Sequence, residues 1–271
     1  QNWTLSTLSI IYFVASSHKA YSFISCSSAH KFTKHKPVTT PPYHIRHLAS
    51  IEQDQDKTPP STHIQNLKSQ IANSITSTNR GKSATATQQS EIEHLLRQLE
   101  SACLLDAPAR DERMEGRWIV EYSTAPPPSN GQLGPFDGVA RQFVDLKRGT
   151  YVNELSVPPG DWLQATLSAR WMEWDGVFLE SGGDGIVSKG SVGSSNSGGG
   201  EEEDYGATCW KVDFDKLSIG LFGIELFSKK FSDTSRVWKM SYLDDDTRVV
   251  RAGRTGRGDD DFVFYMTRDI E

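Results

Sequence analysis

The chain has 271 residues, 36% of them hydrophobic, seven Trp among them, and 29 Lys and Arg against 35 Asp and Glu for a formal net charge of -6. With a mean hydropathy of -0.51, this composition excludes wholesale disorder and a multi-span membrane protein. Residues 1–51 hold five basic residues and no acidic one, leaving 24 basic against 35 acidic residues from position 52 onward; so acidic a remainder excludes a broad nucleic-acid surface. Three cysteines, Cys26, Cys103 and Cys209, none in a CxxC pair, exclude a disulfide-stapled or zinc module.

The chain opens on Gln1, so its true start is expected upstream. Residues 8–15 (LSIIYFVA) form an apolar run well short of the roughly 18 residues that span a bilayer, followed by small residues near a candidate cleavage point. From there to Ser50 the sequence is rich in Ser, Thr, Lys and His and free of acid, the composition of an organelle transit peptide. Two addresses in series are expected in residues 1–57. The segment Lys19-Ala20-Tyr21-Ser22-Phe23 resembles the junction found in plastid proteins of algae with secondary plastids. A buried N-terminal strand or helix and a lipidated Cys26 are the alternatives.

Between Ser61 and Ser77, Ile64, Leu67, Ile71 and Ile75 recur at helical spacing, and Asn79-Arg80-Gly81 follows, with Gly81 suited to a C-terminal cap. A second stripe, Ile92, Leu95, Leu96, Leu99, Ala102 and Cys103, predicts a helix from Ser90 to Leu105, with Ser90 and Glu93 at capping-box spacing and Pro108 just beyond. Neither polar face is rich in Lys and Arg, so both stripes are expected to pack on the rest of the domain, 58–271, rather than on a membrane.

Beyond Gly116 the period changes from 3.6 to 2. Trp118, Val120 and Tyr122 alternate with polar or outward residues, and Leu163, Ala165, Leu167, Ala169 and Trp171 alternate with Gln164, Thr166, Ser168 and Arg170. Further strands are predicted at 139–146, 150–157, 207–214, 236–243, 247–252 and 261–268. About eight short strands behind a helical preface predict an antiparallel barrel or sandwich, and a barrel of that size has room for one small ligand or a packed interior. Residues 181–206, with nine Gly and the run Glu201-Glu202-Glu203-Asp204, read as a flexible insertion between strands.

Catalytic motifs are nearly absent. After the presequence only His63 and His94 remain, and HExxH, GxSxG and EF-hand patterns are missing. The one dense charge cluster is Tyr242-Leu243-Asp244-Asp245-Asp246-Thr247-Arg248, followed by Arg251 and Arg254. On a strand Asp244 and Asp246 would share a face with Arg248. Three readings stay open: a strand-turn-strand corner whose Asp residues cap the turn and pair with nearby arginines, a polar ligand contact, or an acid/base or cation site. Gly116-Arg117-Trp118 fits the first strand of a lipocalin-like barrel, where the indole closes one end and a late Arg stacks on it; Arg248, Arg251 and Arg268 are the candidates.

In order, these pieces resemble the plastid lipid-associated protein family, the plastid fibrillins. The resemblance runs from about Ser61 to Arg268. It rests on Asn79-Arg80-Gly81, Ile92 to Leu99 with Glu100, Gly116-Arg117-Trp118 leading into Tyr122-Ser123-Thr124, Gln142-Phe143-Val144-Asp145, Asn153, and the C-terminal motif from Tyr242 through Val249 with Arg251. Thr247 and Ala252 depart from the family pattern. The resemblance implies a lipocalin-like antiparallel β-barrel of about eight strands behind two N-terminal α-helices. It further implies a non-catalytic plastid protein at plastoglobules or thylakoids, binding carotenoid, quinone, tocopherol or acyl lipid, with a protein partner as a further expectation and no nucleic acid, cofactor or metal. On this reading Trp118, Leu163, Ala165, Leu167, Ala169 and Trp171 contact ligand, and Tyr242, Asp244, Asp245, Asp246, Arg248 and Arg251 form the family's polar corner. The alternatives are a coat or recruiting protein with a filled barrel, and a lipid-processing enzyme using Asp244, Asp245 and Asp246.

Overall fold

A computed structural model describes residues 60–176, 204–232, 234–253 and 262–270. The expected presequence and residues 181–203 of the Gly-rich insertion lie outside them. The end of that insertion is ordered, contrary to expectation: Tyr205–Ala207 forms a 3₁₀ turn with Gly206 buried, and Arg110 clasps Asp204 through two hydrogen bonds.

Helix α1 spans Pro60–Ile75 and α2 spans Ala86–Ser101. Leu67, Ile71, Ile92, Leu96 and Leu99 are at most 2% exposed and join one cluster with Tyr122, Tyr242, Val249, Val263 and Tyr265 of the sheet. The apolar stripes therefore do pack on the domain. Helix α2 begins upstream of the sequence expectation. Thr85 is its N-cap, its hydroxyl accepting from the Gln88 amide at 3.2 Å while Gln88 Oε1 accepts from the Thr85 amide at 3.0 Å. Thr85-x-x-Gln88 and Ser90-x-x-Glu93 share the same capping spacing, and only the upstream one lies where the chain turns. In the connection Gly81 takes φ +93, and a Cβ there would stand 2.3 Å from the Ser123 carbonyl oxygen. The demand for glycine thus comes from close approach to the barrel, while Asn79 caps the preceding turn.

The sheet comprises β1 (Gly116–Ser123), β4 (Val139–Asp145), β5 (Thr150–Val157), β6 (Leu163–Glu173), β7 (Cys209–Leu221), β8 (Ile224–Lys230), β9 (Ser235–Leu243), β10 (Thr247–Gly253) and β11 (Phe262–Arg268); a small hairpin of β2 (Gln132–Leu133) and β3 (Phe136–Asp137) precedes β4. Every pairing is antiparallel. Strands β6, β5, β4, β1, β11, β10, β9 and β7 follow one another, and β6 pairs β7, so eight strands close into a barrel with β8 appended. Closure leaves the ring no free edge. The long β7 makes both joins: Cys209–Asp213 pair with β9, and Lys216–Leu221 pair with β8. Strand β8 went unpredicted because all seven of its residues are exposed, so it lacks the half-buried alternation that marks a strand.

Candidate ligand site inside the barrel

Gly116 leads into β1 at φ +105, with Arg268 Nη1 at 3.2 Å from where a Cβ would lie. Two residues on, Trp118 is fully buried, and its Nε1 donates to the Met114 carbonyl at 3.2 Å. Arg248 and Arg268 both lie over its ring, 4.7 and 3.9 Å from the centroid. The Trp–Arg closure expected from Gly116-Arg117-Trp118 is thus built with two arginines. Arg268 also donates to the carbonyls of Arg113, Glu115 and Asp245, tying the entry turn to the last strand.

The register decides which residues share the interior with Trp118. Trp118 pairs with Gln142, Gln142 with Asn153, Asn153 with Leu167 and Leu167 with Leu217. Paired residues stand on the same face. One step further along the strands, Ala140, Leu155, Ala165 and Ile219 form a parallel row, and beyond it Val157, Leu163 and Leu221 form another. Both rows are apolar, so the interior has a polar level near Trp118 and apolar walls beyond it.

The polar level centres on Arg248. It is 1% exposed; Nη2 donates to Gln142 Oε1 at 2.6 Å and meets Met266 Sδ at 3.0 Å, while Nε has no partner. Burial, together with the neighbouring Arg268 charge, pushes the guanidinium down to about 9. Beside it, burial raises the Tyr151 phenol well above its usual range, and its oxygen accepts from Asn153 Nδ2 at 2.9 Å. Large rings pack this end: Tyr151 lies 4.8 Å from Trp238, Trp238 6.2 Å from Phe264, and Trp171 stacks on Trp210 at 4.0 Å.

Of the six residues expected to touch ligand, Leu163, Ala165, Leu167 and Ala169 do lie on one inward row. Leu163, Ala165 and Ala169 are buried, and Leu167 is only half-buried despite pointing inward. Trp118 belongs to the closed end, and Trp171 to the stack with Trp210. Gln142, Tyr151 and Asn153 were missed as interior groups. The readable signal was parity, since Gln142 falls between Ala140 and Val144, both buried, on an alternating strand.

The polar corner is divided. Asp244–Asp246 form the turn between β9 and β10, and Asp244 Oδ1 accepts from the amides of Asp246 and Thr247 at 3.2 and 2.9 Å. The expected capping is present. Among the described residues neither Asp244 nor Asp246 pairs with an arginine; Lys68 of α1 holds both at 2.5 Å, and Arg254 lies outside the described residues. Arg248 faces the interior, and Arg251 faces α2, where it binds Glu100 at 2.7 and 3.0 Å and Glu93 at 2.9 Å. Asp245 is 93% exposed, with Arg113 at 3.9 Å. Tyr242 donates to Asp244 at 2.5 Å; burial, then this contact, raises its phenol above the usual range. Asp244 and Asp246 therefore work as a helix clasp.

The PAP_fibrillin family model matches residues 65–147. Two light-induced chloroplastic proteins, from Solanum demissum and Solanum tuberosum, are each 37% identical over 78 residues, 28% of this chain and 23% of the relative. The match thus spans less than a quarter of those relatives' length. Among solved structures, a bovine odorant binding protein in complex with a selenium-containing odorant aligns with 59% of this chain and 73% of its own at 15% identity and a TM-score of 0.26. The matched stretch, from Gln65 in α1 to just past the end of β4, takes in most of the helical pair and the Trp118 strand, and over those residues the chain is similar to the PAP_fibrillin family.

Proposed function

We propose that the protein is a non-catalytic plastid lipid-associated protein whose barrel shelters part of a small hydrophobic molecule, a prenyl or acyl lipid, at a plastoglobule or thylakoid surface. The observation that carries this reading is the inward succession of polar Gln142 and Asn153, then Ala140, Leu155, Ala165 and Ile219, then Val157, Leu163 and Leu221. Apolar walls above a few donors suit an amphiphile whose chain leaves water and whose polar end is oriented. Burying a few hundred Å² of such a ligand supplies several kcal/mol at about 25 cal/mol per Å², before ordering costs.

The test is mass spectrometry of the organic extract of the chain after mixing with plastid lipids and gel filtration. A stoichiometric lipid, lost in Ala165→Trp without loss of fold, supports the reading. A lipid-free folded protein overturns it and favours the second reading, a coat or recruiting protein, which the rings of Trp118, Trp171, Trp210, Trp238 and Phe264 filling one end of the barrel support. An enzyme built on Asp244 and Asp246 is opposed by Lys68, which already engages both carboxylates. Residues 1–57 remain the proposed plastid address and 58–271 the lipid-associated domain; a reporter fused to 1–57, with an initiating Met added, should reach the plastid.

A further inference from the structure

We propose that the β7–β8 hairpin is a docking element for an anionic lipid surface. This rests on the reading of the protein as lipid-associated, but not on an occupied barrel.

The hairpin departs from the rest of the fold. Phe222, Ile224, Leu226 and Phe227 are 75, 67, 53 and 40% exposed, a run of four large apolar side chains in six residues. Phe222 takes φ +50 and Gly223 φ +78. A two-residue turn with positive φ at both positions favours Asn or Gly at the first, so a bulky aromatic there is held against local preference while most of its surface stays exposed. Outliers of this kind gather where function needs the side chain.

The tip is anchored, so the exposure belongs to the fold. The Phe222 amide donates to the Trp162 carbonyl at 2.7 Å, and the Trp162 ring lies 6.3 Å from Phe222 and 5.0 Å from Phe136. These rings stand at the strand ends where Val157, Leu163 and Leu221 pair, opposite the end closed by Trp118. A lipid surface met by this hairpin would therefore also meet the apolar end of the barrel.

Charge selects the occupant. Behind the tip, Lys216 pairs with Lys230 and Leu217 with Lys229, which sets lysines at one level of an otherwise acidic chain. Lys216 binds Glu225 at 2.8 Å, and Lys229 lies over the Phe231 ring at 5.5 Å, yet the part of the hairpin beyond the β9 pairing, residues 216–230, carries three Lys against one Glu. Like charges directly opposite are unfavourable in a sheet, and anionic headgroups would relieve them. Lys229 lies five positions beyond Ile224, about 16 Å of strand. An apolar tip reaching roughly 5–10 Å into the headgroup boundary would leave those lysines at the headgroup level, where their stems can extend to phosphate. The apolar tip offers a few hundred Å², roughly half of the ~800 Å² per side that a stable dimer buries, which disfavours a second copy.

The experiment is co-sedimentation of the full chain with phosphatidylcholine vesicles with and without phosphatidylglycerol, over a salt series. Wild type should bind the anionic vesicles, and release with salt. Phe222→Asn/Ile224→Thr should lower partitioning tenfold or more; Asn suits the turn, so the fold is kept. Lys229→Gln/Lys230→Gln should remove the preference for phosphatidylglycerol. No binding by wild type, or tip variants that bind as well as wild type, would overturn the proposal. So would a dimer in light scattering that the tip variant dissolves, because that assigns the surface to a second copy. Lipid content of the barrel, measured in the same variants, should be unchanged, so failure of docking and failure of barrel binding read out separately.

Discussion

Inside the barrel the carboxamide oxygen of Gln142 accepts a 2.6 Å hydrogen bond from Nη2 of Arg248, a guanidinium that is 1% exposed and faces no carboxylate among the described residues. A buried cation left without its acceptor pays the desolvation of the lost bond, about 1–3 kcal/mol. Gln142→Leu should therefore lower stability by that amount in thermal or denaturant unfolding. Arg248→Met added to Gln142→Leu should recover much of the loss, because it removes the orphaned charge while Arg268 still covers Trp118. A double variant less stable than Gln142→Leu alone would refute this account.

Arg251 and Glu100 join β10 to α2 through two hydrogen bonds, with side chains 5 and 10% exposed. Removing one member of a buried pair leaves the other uncompensated, at about 3–5 kcal/mol. Glu100→Ala is expected near the lower end of that range, since Glu93 remains within 2.9 Å of Arg251. A Glu93→Ala/Glu100→Ala double variant should lose more than the two single losses added, measured by urea unfolding.

The clasp of Lys68 on Asp244 and Asp246 makes helix docking sensitive to acid. Burial by itself would raise the Asp246 carboxyl, but hydrogen bonds from Lys68 and Thr247 outweigh it and hold the carboxyl below the usual range. A depressed folded value means that the stabilisation is complete above the unfolded value of about 3.9 and is lost as pH falls through the lower folded one. Stability should decline on acidification below about pH 4, and Lys68→Met should flatten that part of the profile. An unchanged acid limb in Lys68→Met would separate the clasp from acid stability.

Gly81 and Gly160 both hold positive φ, +93 and +72, but a Cβ at Gly81 would stand 2.3 Å from the Ser123 carbonyl oxygen, whereas one at Gly160 would meet nothing within 4 Å. Gly160→Ala should show backbone strain alone, about 1 kcal/mol. Gly81→Ala should exceed it by roughly 1–2 kcal/mol through displacement of the helix connection from β1. Equal losses in the two variants would show that the approach to Ser123 relaxes without penalty.

The helical preface and most barrel strands could be read directly, because Leu67, Ile71, Leu96 and Leu99 repeat at 3.6 and Leu163, Ala165 and Leu167 at 2, and such periods follow from burying one face of one element. The start of α2 could not: Thr85 and Ser90 carry equivalent capping signals, and the choice falls to the turn that lays Gly81 against Ser123. Strand β8 left no periodic trace, since none of its side chains is buried. The acidic corner was legible as a turn, but its partner, Lys68, lies 176 and 178 residues away from Asp244 and Asp246.

The sequence by itself determined the two amphipathic helices and the β-rich domain, properties of neighbouring residues, and offered Trp118 with three candidate arginines, of which the structure places Arg248 and Arg268 over its ring. Only the tertiary structure decided that Arg248 turns inward to Gln142 while Arg251 turns outward to Glu100. Their opposite fates follow from strand alternation, but which face is interior is fixed by pairing with strands far along the chain. The exposed Phe222 tip was decided in the same way: β9 takes the first part of β7 and leaves its last part to pair with β8, outside the ring.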